Sequence, residues 1–201
     1  MAENAQSAET GLSVVAMAAS AGGLKALSEL LSGLPKGFPA AIVVVQHIDP
    51  HHESRMAQIL DKKTNLTVKE ARDGDRLTPS TVYIAPANRH LLVNPDHTLS
   101  LSQAELVNFV RPSADLLFES VAASFKHRAI SVVLSGTGKD GAVGSKAIKR
   151  MGGRAIAQDK DSSEFFGMPS AAIEAGGIDL VLPLSKIART LIDLLPKEET
   201  P

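Results

Sequence analysis

Two short apolar runs limit what this chain can fold into more than any other feature of its sequence. AIVVVQ, at 41–46, and ISVVLS, at 130–135, are continuous and rich in β-branched residues, and they lack the apolar–polar alternation of a half-exposed strand. Runs of this kind are typical of strands that are buried on both faces of a parallel sheet. The two segments therefore predict a central parallel sheet with helices packed on both sides.

Other short apolar runs predict the remaining strands, and the amphipathic stretches between them predict helices. Strands are expected at Ser13–Met17, Ala41–Gln46, Thr67–Ala71, Val82–Ala85, Ile130–Leu134, Ala155–Gln158 and Leu180–Leu182. Helices are expected at Leu24–Leu34, Ser54–Asp61, Ala114–Lys126, Ala142–Met151, Ser170–Ala175 and Leu184–Leu195. Strands that alternate with helices in this way are typical of βαβ units.

One segment departs from this alternation. HLLVNPDHTLSL, at 90–101, alternates apolar and polar residues around an Asn-Pro-Asp turn, which predicts an antiparallel β-hairpin. The predicted fold class is therefore α/β, a three-layer doubly wound and mostly parallel sheet with an attached hairpin. One domain is expected over 12–196, because 201 residues with 44% hydrophobic composition suit a single core. The polar ends, 1–11 and 197–201, are expected to be disordered tails.

Charge and composition exclude several classes of function. The formal net charge is -1, aromatic residues make up 3% and there is no Trp, which argues against a nucleic-acid partner. The absence of Cys excludes disulfides, thiolate metal sites and a cysteine nucleophile, and it fits a cytoplasmic location. No segment resembles a signal peptide, and no apolar run approaches the roughly 18 residues of a membrane span, so no membrane insertion is expected.

Candidate chemistry lies where predicted strands end, because open α/β sheets form their sites at the carboxyl ends of strands. Ser20 follows the first strand, and Ala21, Gly22 and Gly23 lead into a helix whose free N–H groups can hold a developing oxyanion. The G-x-S-x-G elbow is matched only in part, since Ala18 replaces its first glycine. The alternatives are an ordinary turn and a phosphate cradle, although the glycine patterns of phosphate-binding loops are absent.

His47 follows the second strand, in VVVQHIDPHH, where a histidine is suited to act as a general base. A metal site made of His47, Asp49, His51 and His52 is an alternative, but no H-E-x-x-H pattern supports it. We therefore expect no metal. For His51 and His52 we favour solvated positions at a helix start that is capped by Asp49 and Pro50.

Asp140 follows the strand Ile130–Leu134, in the glycine-rich segment LSGTGKDGAVG. An aspartate there can orient a histidine and stabilise its charged form, as in a Ser-His-Asp triad. An Asp-Gly turn and a magnesium site are the alternatives. Ser20, His47 and Asp140 thus each follow a strand of one sheet, in a chain order that differs from the Ser-Asp-His order of α/β-hydrolases.

Seven segments, in order across nearly all of 13–195, resemble the catalytic domain of the receptor protein-glutamate methylesterase of bacterial chemotaxis, the CheB family. They are AASAGG at 18–23, VVQHI at 44–48, EARDGDRL at 70–77, YIAPANRH at 83–90, RPSADLLFESVA at 111–122, VVLSGTGKDGA at 132–142 and FFGMPSAAIEAGG at 165–177. The resemblance implies a cytoplasmic serine hydrolase with the triad Ser20, His47 and Asp140. It would release methanol from γ-glutamyl methyl esters on chemoreceptor helices, and family members often also deamidate receptor glutamines.

The resemblance implies no metal or organic cofactor, and it implies methylated chemoreceptor cytoplasmic helices as partners, together with other chemotaxis domains in cis or in trans. Amides of Ala21, Gly22 and Gly23 are the candidate oxyanion donors, with a side-chain donor from the loop that holds Thr137. Arg111 is a candidate contact for an acidic receptor helix, and a solvated arginine beside a helix start capped at Ser113 is the alternative.

The sequence also departs from the family pattern. Ala21 stands where a threonine is usual, Thr137 and Lys139 replace methionine and asparagine, and Val110 replaces a frequent histidine. These changes leave the three triad positions intact but bear on rate and on receptor preference. The segment at 158–169 is a candidate rim loop above Phe166 and Met168, or else an ordinary βα connection.

Typical members carry an N-terminal phospho-receiver domain, whereas about a dozen residues precede the first predicted strand here. The sequence is therefore expected to be a stand-alone enzyme or a segment of a larger chain, without a receiver that inhibits it in cis. Three other functions stay open at this point. They are a deamidase or esterase that acts on another protein, a non-catalytic or weakly active signalling domain of the same fold, and a nucleotide-binding fold.

Overall fold

The structure is a computed structural model, and it describes residues 11–47 and 55–195. The described residues form nine strands: β1 (Ser13–Ala19), β2 (Ala40–Gln46), β3 (Thr67–Glu70), β4 (Thr81–Ile84), β5 (His90–Val93), β6 (Leu99–Ser102), β7 (Ala129–Val133), β8 (Arg154–Gln158) and β9 (Leu180–Leu182). They also form six α-helices: α1 (Gly23–Ser32), α2 (Met56–Asp61), α3 (Ala114–Phe125), α4 (Ala142–Arg150), α5 (Gly167–Glu174) and α6 (Leu184–Leu194). A 3-10 turn follows α3 at Lys126–Arg128. The predicted tails, apart from Gly11, lie outside the described residues.

Seven of these strands form one parallel sheet in the order β3-β4-β2-β1-β7-β8-β9. The other two, β5 and β6, form the antiparallel hairpin that the sequence predicted. The chain leaves β1 in one direction, through α1 to β2, and leaves β7 in the other, through α4 to β8. A doubly wound sheet of this kind has a crevice at the reversal point, here between the carboxyl ends of β1 and β7.

Both faces of the sheet are buried, as the continuous apolar runs predicted. Along β1, Val15 and Met17 pack in one core with α1, α2 and α6. The alternate residues, Val14 and Ala16, pack in the other core with α3, α4, α5 and the hairpin. The three-layer α/β fold is therefore confirmed, and β1 lies at its centre.

Two element boundaries differ from the predictions in ways that matter for the site. β1 continues beyond the predicted Met17 to Ala19, so Ser20 comes directly after the last strand residue. α5 begins at Gly167 instead of Ser170. Pro169 is tolerated in the first turn of that helix, because the N–H that proline lacks would have no intrahelical acceptor there.

Helices α3 and α4 cross at very short range. A β-carbon at Gly144, in α4, would lie 2.8 Å from the carbonyl oxygen of Asp115 and 3.0 Å from its Cα. These neighbours are backbone atoms, so they cannot move aside as a side chain can. The close approach brings the first turns of the two helices together, and the site described below depends on that contact.

We expect Gly144→Ala to lower the free energy of unfolding by about 1–3 kcal/mol, because the added methyl group forces α3 and α4 apart. The loss should appear in urea unfolding even though alanine is the better helix former by about 1 kcal/mol. Gly37→Ala is the matched control, since a β-carbon there meets no atom within 4 Å, and its effect should stay below about 1 kcal/mol. A Gly144→Ala protein as stable as the parent would contradict this account of the helix contact.

Candidate active site

Ser20 and His47 follow neighbouring strands at the same edge of the sheet. The β1–β2 register pairs Ala19 with Gln46, and the His47 N–H donates to the Ala19 carbonyl at 3.1 Å. The Ser20 N–H donates to the Ser135 carbonyl at 3.0 Å, which ties the residue to the loop after β7. Ser20 is therefore fixed across the crevice between β1 and β7, and His47 is fixed to the end of β1.

His47 and Asp140 form a direct pair across that crevice. The His47 Nε2 lies 2.9 Å from the Asp140 Oδ2, and the two side chains are 15% and 4% exposed. Since a carboxylate can only accept, Nε2 is the protonated nitrogen in this contact. In the neutral form of the ring, Nδ1 is then the nitrogen that carries the lone pair.

The Asp140 carboxylate also caps helix α3. Its Oδ2 accepts the Ala114 N–H at 2.6 Å, and its Oδ1 accepts the Asp115 N–H at 3.0 Å and the Ser113 hydroxyl at 2.8 Å. The first N–H groups of a helix have no intrahelical acceptor, and the helix dipole favours a negative charge beside them. The alternative prediction of a helix start capped by Ser113 is correct for the position but not for the side chain: Ser113 stands at the N-cap, and its hydroxyl donates to the aspartate that does the capping.

Asp115, in the first turn of α3, caps α4 in return. Its Oδ1 accepts the N–H groups of Gly141 at 2.9 Å and Gly144 at 2.8 Å, and its Oδ2 accepts the Asn108 side-chain amide at 3.2 Å. Helix α4 is thus capped by a carboxylate from the first turn of α3, and α3 is capped by a carboxylate that lies two residues before α4. This exchange fixes the position of Asp140 relative to the sheet.

The two carboxylates differ in how easily they ionise. Burial raises the pKa of Asp140, but the hydrogen bonds from His47, Ala114, Asp115 and Ser113 outweigh burial and hold the pKa below the ordinary 3.8. Burial also raises the pKa of Asp115, and the charge of Asp140 adds to that rise. The hydrogen bonds from the α4 amides do not offset both, so the pKa of Asp115 lies above 3.8.

His90 and Arg111 hold the segment that leads into α3. The sequence assigned no role to His90 and a candidate receptor contact to Arg111. His90 is fully buried; its Nδ1 accepts the Ser113 N–H at 3.1 Å, and its Nε2 donates to the Glu105 carbonyl at 3.0 Å. The Arg111 guanidinium donates to the Asn88 side chain at 2.7 and 2.9 Å and to the carbonyls of 103 and 104. Arg111 thus fixes the loop before α3, and its contact with a receptor stays a prediction.

The loop after β7 packs directly against Ser20. A β-carbon at Gly136 would lie 2.9 Å from the Ser20 Cβ and would overlap the Met168 sulfur. Met168 is fully buried and Phe166 is half-buried, under the loop at 158–169. That loop is bonded to the site, because the Phe165 N–H donates to the Ser135 hydroxyl at 2.9 Å. Thr137 and Lys139 lie exposed beyond Gly136.

The residues around Ser20 leave polar groups open at the crevice. α1 begins at Gly23, with Gly22 at its N-cap position in a left-handed conformation at a φ of 74°. Among the described residues, nothing accepts the Ala21 N–H and nothing bonds the Ser20 hydroxyl. Hydrogen bonds of catalytic groups often tighten only when substrate binds, so the open hydroxyl fits a nucleophile as well as a turn residue.

Three members of the alternative metal site, Asp49, His51 and His52, lie outside the described residues, and so does the helix start that Asp49 and Pro50 were predicted to cap. Within 11–47 and 55–195, no three metal-ligating side chains come together. Over the same ranges, no helix has the length and apolar composition needed to cross a membrane.

Comparison with known proteins decides the family. The profile of the CheB methylesterase family matches residues 15–191. The chain belongs to the CheB methylesterase family. The predicted enzyme class, protein-glutamate methylesterase, is thereby confirmed.

Relatives of the CheB domain are similar over most of this chain. A Leptospira interrogans protein, assigned as a protein-glutamate methylesterase/protein-glutamine glutaminase, is 43% identical over 180 residues, which are 90% of this chain and 93% of that protein. The Thermotoga maritima protein-glutamate methylesterase/protein-glutamine glutaminase is 42% identical over 185 residues, and the Myxococcus xanthus methylesterase FrzG is 45% identical over 179. Those matches cover 90% and 89% of this chain but 54% of each relative, so the chain spans about half their length.

A solved structure shows the same CheB fold. The crystal structure of the Thermotoga maritima CheB methylesterase catalytic domain superimposes with a TM-score of 0.88 at 41% identity. The match covers 92% of this chain and 99% of that one. The α/β fold with its attached hairpin is therefore the fold of a CheB catalytic domain.

Asp140 and Asp115 should respond to pH with opposite signs in this CheB domain. Asp140 has a lowered pKa in the folded state, so its stabilising effect is complete above 3.8 and is lost as the pH falls through the lowered value. Asp115 has a raised pKa, so folding is favoured below 3.8 and loses that contribution as the pH rises through the raised value. Relative to the parent protein, Asp140→Asn should lose stability as the pH rises, while Asp115→Asn should gain.

Urea unfolding between pH 3 and pH 8 measures both effects. At pH 7 we expect Asp140→Asn to lower the free energy of unfolding by about 2–4 kcal/mol, and Asp115→Asn to lower it by less. Asp193→Asn is the control, because that aspartate is exposed and pairs only with Arg189 one helical turn away; its effect should stay near 0.5 kcal/mol. A difference between parent and Asp140→Asn that is constant over this pH range would contradict the capping account.

Proposed function

We propose that this CheB-family domain hydrolyses γ-glutamyl methyl esters on chemoreceptors, with Ser20 as the nucleophile. The observation that carries the proposal is the buried His47–Asp140 pair at 2.9 Å, beside a serine whose hydroxyl is open at the same sheet edge. The family match and the names of the relatives supply the substrate class. The receptor segments that carry such esters are proposed as the partners, and the cytoplasm as the location.

His47 acts as the general base through Nδ1. Its Nε2–H is held by Asp140, so the other ring nitrogen is the one with a lone pair for the Ser20 hydroxyl. Asp140 keeps this tautomer in place and stabilises the imidazolium that forms when His47 takes the proton. A carboxylate with a pKa below 3.8 suits that task, because it is charged at neutral pH.

The reaction then proceeds in two halves. Ser20 Oγ forms a bond to the ester carbonyl carbon while its proton moves to His47. The tetrahedral intermediate collapses, the bond to the methoxy oxygen breaks, and the imidazolium proton leaves with methanol. Water then attacks the acyl carbon while one of its protons moves to His47. The bond from that carbon to Ser20 Oγ breaks, the imidazolium returns the proton to Oγ, and the receptor side chain is left as a glutamate carboxyl group. One ester and one water thus give one carboxylic acid and one methanol.

The oxyanion of the intermediate needs donors that are already in place. The backbone N–H of the residue after a serine nucleophile is a common donor in strand–turn–helix sites. Ala21 holds that position, and its N–H has no acceptor among the described residues. The missing threonine hydroxyl at this position leaves the backbone donor untouched.

A second activity on the same site is deamidation of protein glutamines. The acyl-enzyme is identical and only the leaving group changes, from methanol to ammonia. Several relatives carry protein-glutamine glutaminase in their names, which favours this activity here. The family match favours this enzyme chemistry over the non-catalytic signalling domain that the sequence left open.

We expect Ser20→Ala to lower methanol release from methylated receptor membranes by about 10³-fold or more, because the covalent step is lost. His47→Ala should have an effect of similar size, and the double variant should lose little more, since the two groups act as a unit. Ser32→Ala, at the exposed end of α1, is the control and should keep the parent rate. A Ser20→Ala protein with parent turnover would overturn the proposal.

A fluorophosphonate probe separates the enzyme from the binding domain. We expect the probe to label Ser20 in the parent protein and to leave the His47→Ala protein almost unlabelled. If deamidation shares the site, ammonia release from receptor glutamines must fall in Ser20→Ala by the same factor as methanol release. Ammonia release that survives this substitution would assign deamidation to another group.

A further inference from the structure

Gln46 is a buried polar residue that the chemistry described so far does not use. It ends β2, next to His47, and its side chain is enclosed, with the residue 6% exposed. Its Nε2 donates to the Ser20 carbonyl at 2.7 Å and to the His47 carbonyl at 3.1 Å. One side-chain amide therefore joins the backbones of the proposed nucleophile and the proposed base.

The Ser20 carbonyl is held from two sides. It accepts the Gly23 N–H at 2.8 Å in addition to the Gln46 amide. The Ser20–Ala21 peptide bond is trans, so its carbonyl oxygen and its amide hydrogen point in opposite directions. With the carbonyl fixed toward Gln46 and Gly23, the Ala21 N–H must point the opposite way, away from both.

The glycine at position 23 leaves space for the Gln46 side-chain amide. Gly23 has an ordinary helical φ, so backbone conformation does not require glycine there. A β-carbon at this position would overlap the Gln46 Oε1 and lie 2.7 Å from the Ala19 Cβ. Close approach of Gln46 on one side and of Ala19 on the other thus excludes a side chain at Gly23.

The Gln46 side chain acts at this position through the N–H groups of its amide nitrogen, Nε2. No described residue donates to its buried Oε1, although an unpaired buried acceptor destabilises a fold. Both groups that face Nε2 are carbonyl oxygens, which need a hydrogen and would repel another oxygen. A residue that only stabilised the end of the strand would not need this geometry.

We propose that Gln46 is a positioning residue, which locks the Ser20–Ala21 peptide so that the Ala21 N–H is presented as an oxyanion donor. The inference rests on the proposed function, because it assigns the donor of that reaction and the group that orients it. Without the lock, rotation of the peptide would turn the Ser20 carbonyl toward the developing negative charge, where it repels instead of stabilising.

The test compares Gln46→Met, which keeps the side-chain length but cannot donate, and Gln46→Glu, whose carboxylate can only accept. We expect kcat for methanol release to fall by about 10²-fold in both, with KM within about threefold of the parent, because the ester is still bound and only the intermediate loses a donor. Gln46→Met also removes the unpaired oxygen, so its Tm should stay within about 4 °C of the parent.

Asn94→Leu is the matched control. The Asn94 side-chain amide also donates two hydrogen bonds, to Thr98 at 3.0 Å and Ser100 at 2.7 Å, but it lies in the hairpin. This variant should lose stability and keep kcat. Equal loss of kcat in Asn94→Leu and Gln46→Met would overturn the positioning role, and so would a Gln46→Met protein within about threefold of the parent kcat.

A second readout does not depend on turnover. In the parent protein, reaction of Ser20 with a fluorophosphonate places a P–O oxygen in the oxyanion position, and the Ala21 amide proton resonance should shift downfield. In Gln46→Met the reaction should be slower and the shift should vanish. An Ala21 resonance that does not respond in the parent overturns the inference alone, whereas a parent protein that neither reacts nor releases methanol overturns the proposed function with it.

Discussion

The exchange of carboxylates between α3 and α4 is the interaction on which the rest of the site depends. Asp140 satisfies the N–H groups at the start of α3, and Asp115 satisfies those at the start of α4. Neither helix has an acidic cap of its own at the N-cap position, where Ser113 and Gly141 stand. The same contact that completes the helices therefore holds Asp140 at hydrogen-bond distance from His47.

The parallel sheet positions Ser20 and His47 next to each other. All carboxyl ends of its strands open on one edge, so Ser20 and His47 become neighbours simply because β1 and β2 pair in register. Asp140 arrives from the other side of the reversal point, through the loop after β7. The relative position of Ser20 and His47 is thus set by two adjacent strands. The contact between His47 and Asp140 joins distant parts of the chain, and it forms only when both halves of the sheet have packed on β1.

The sequence was sufficient to predict the strands and to select Ser20, His47 and Asp140 as candidates, because continuous apolar runs and strand ends are local signals. AIVVVQ and ISVVLS became two central strands, and the two boundary differences that matter for the site lie at small residues, Ala18 and Gly167, where local patterns are weak. The roles of Asp115, His90 and Gln46 were not predictable in this way. Their partners lie far along the chain, at α4, Ser113 and Ser20, and a single sequence does not record such contacts. A glutamine that ends an otherwise apolar strand was the one available signal.

Asp140 caps α3 and is also the proposed partner of a catalytic histidine, and this combination bears on how the domain can change over generations. Replacing Asp140 removes both the carboxylate that caps α3 and the partner of His47, so the fold is destabilised in the same step in which the proposed chemistry is lost. Ser20 is different: its hydroxyl has no partner among the described residues, so its loss leaves every hydrogen bond described here in place. A lineage that abandoned the reaction while keeping this fold as a docking module would therefore first drift at Ser20 and retain the aspartate long after its chemistry had ceased.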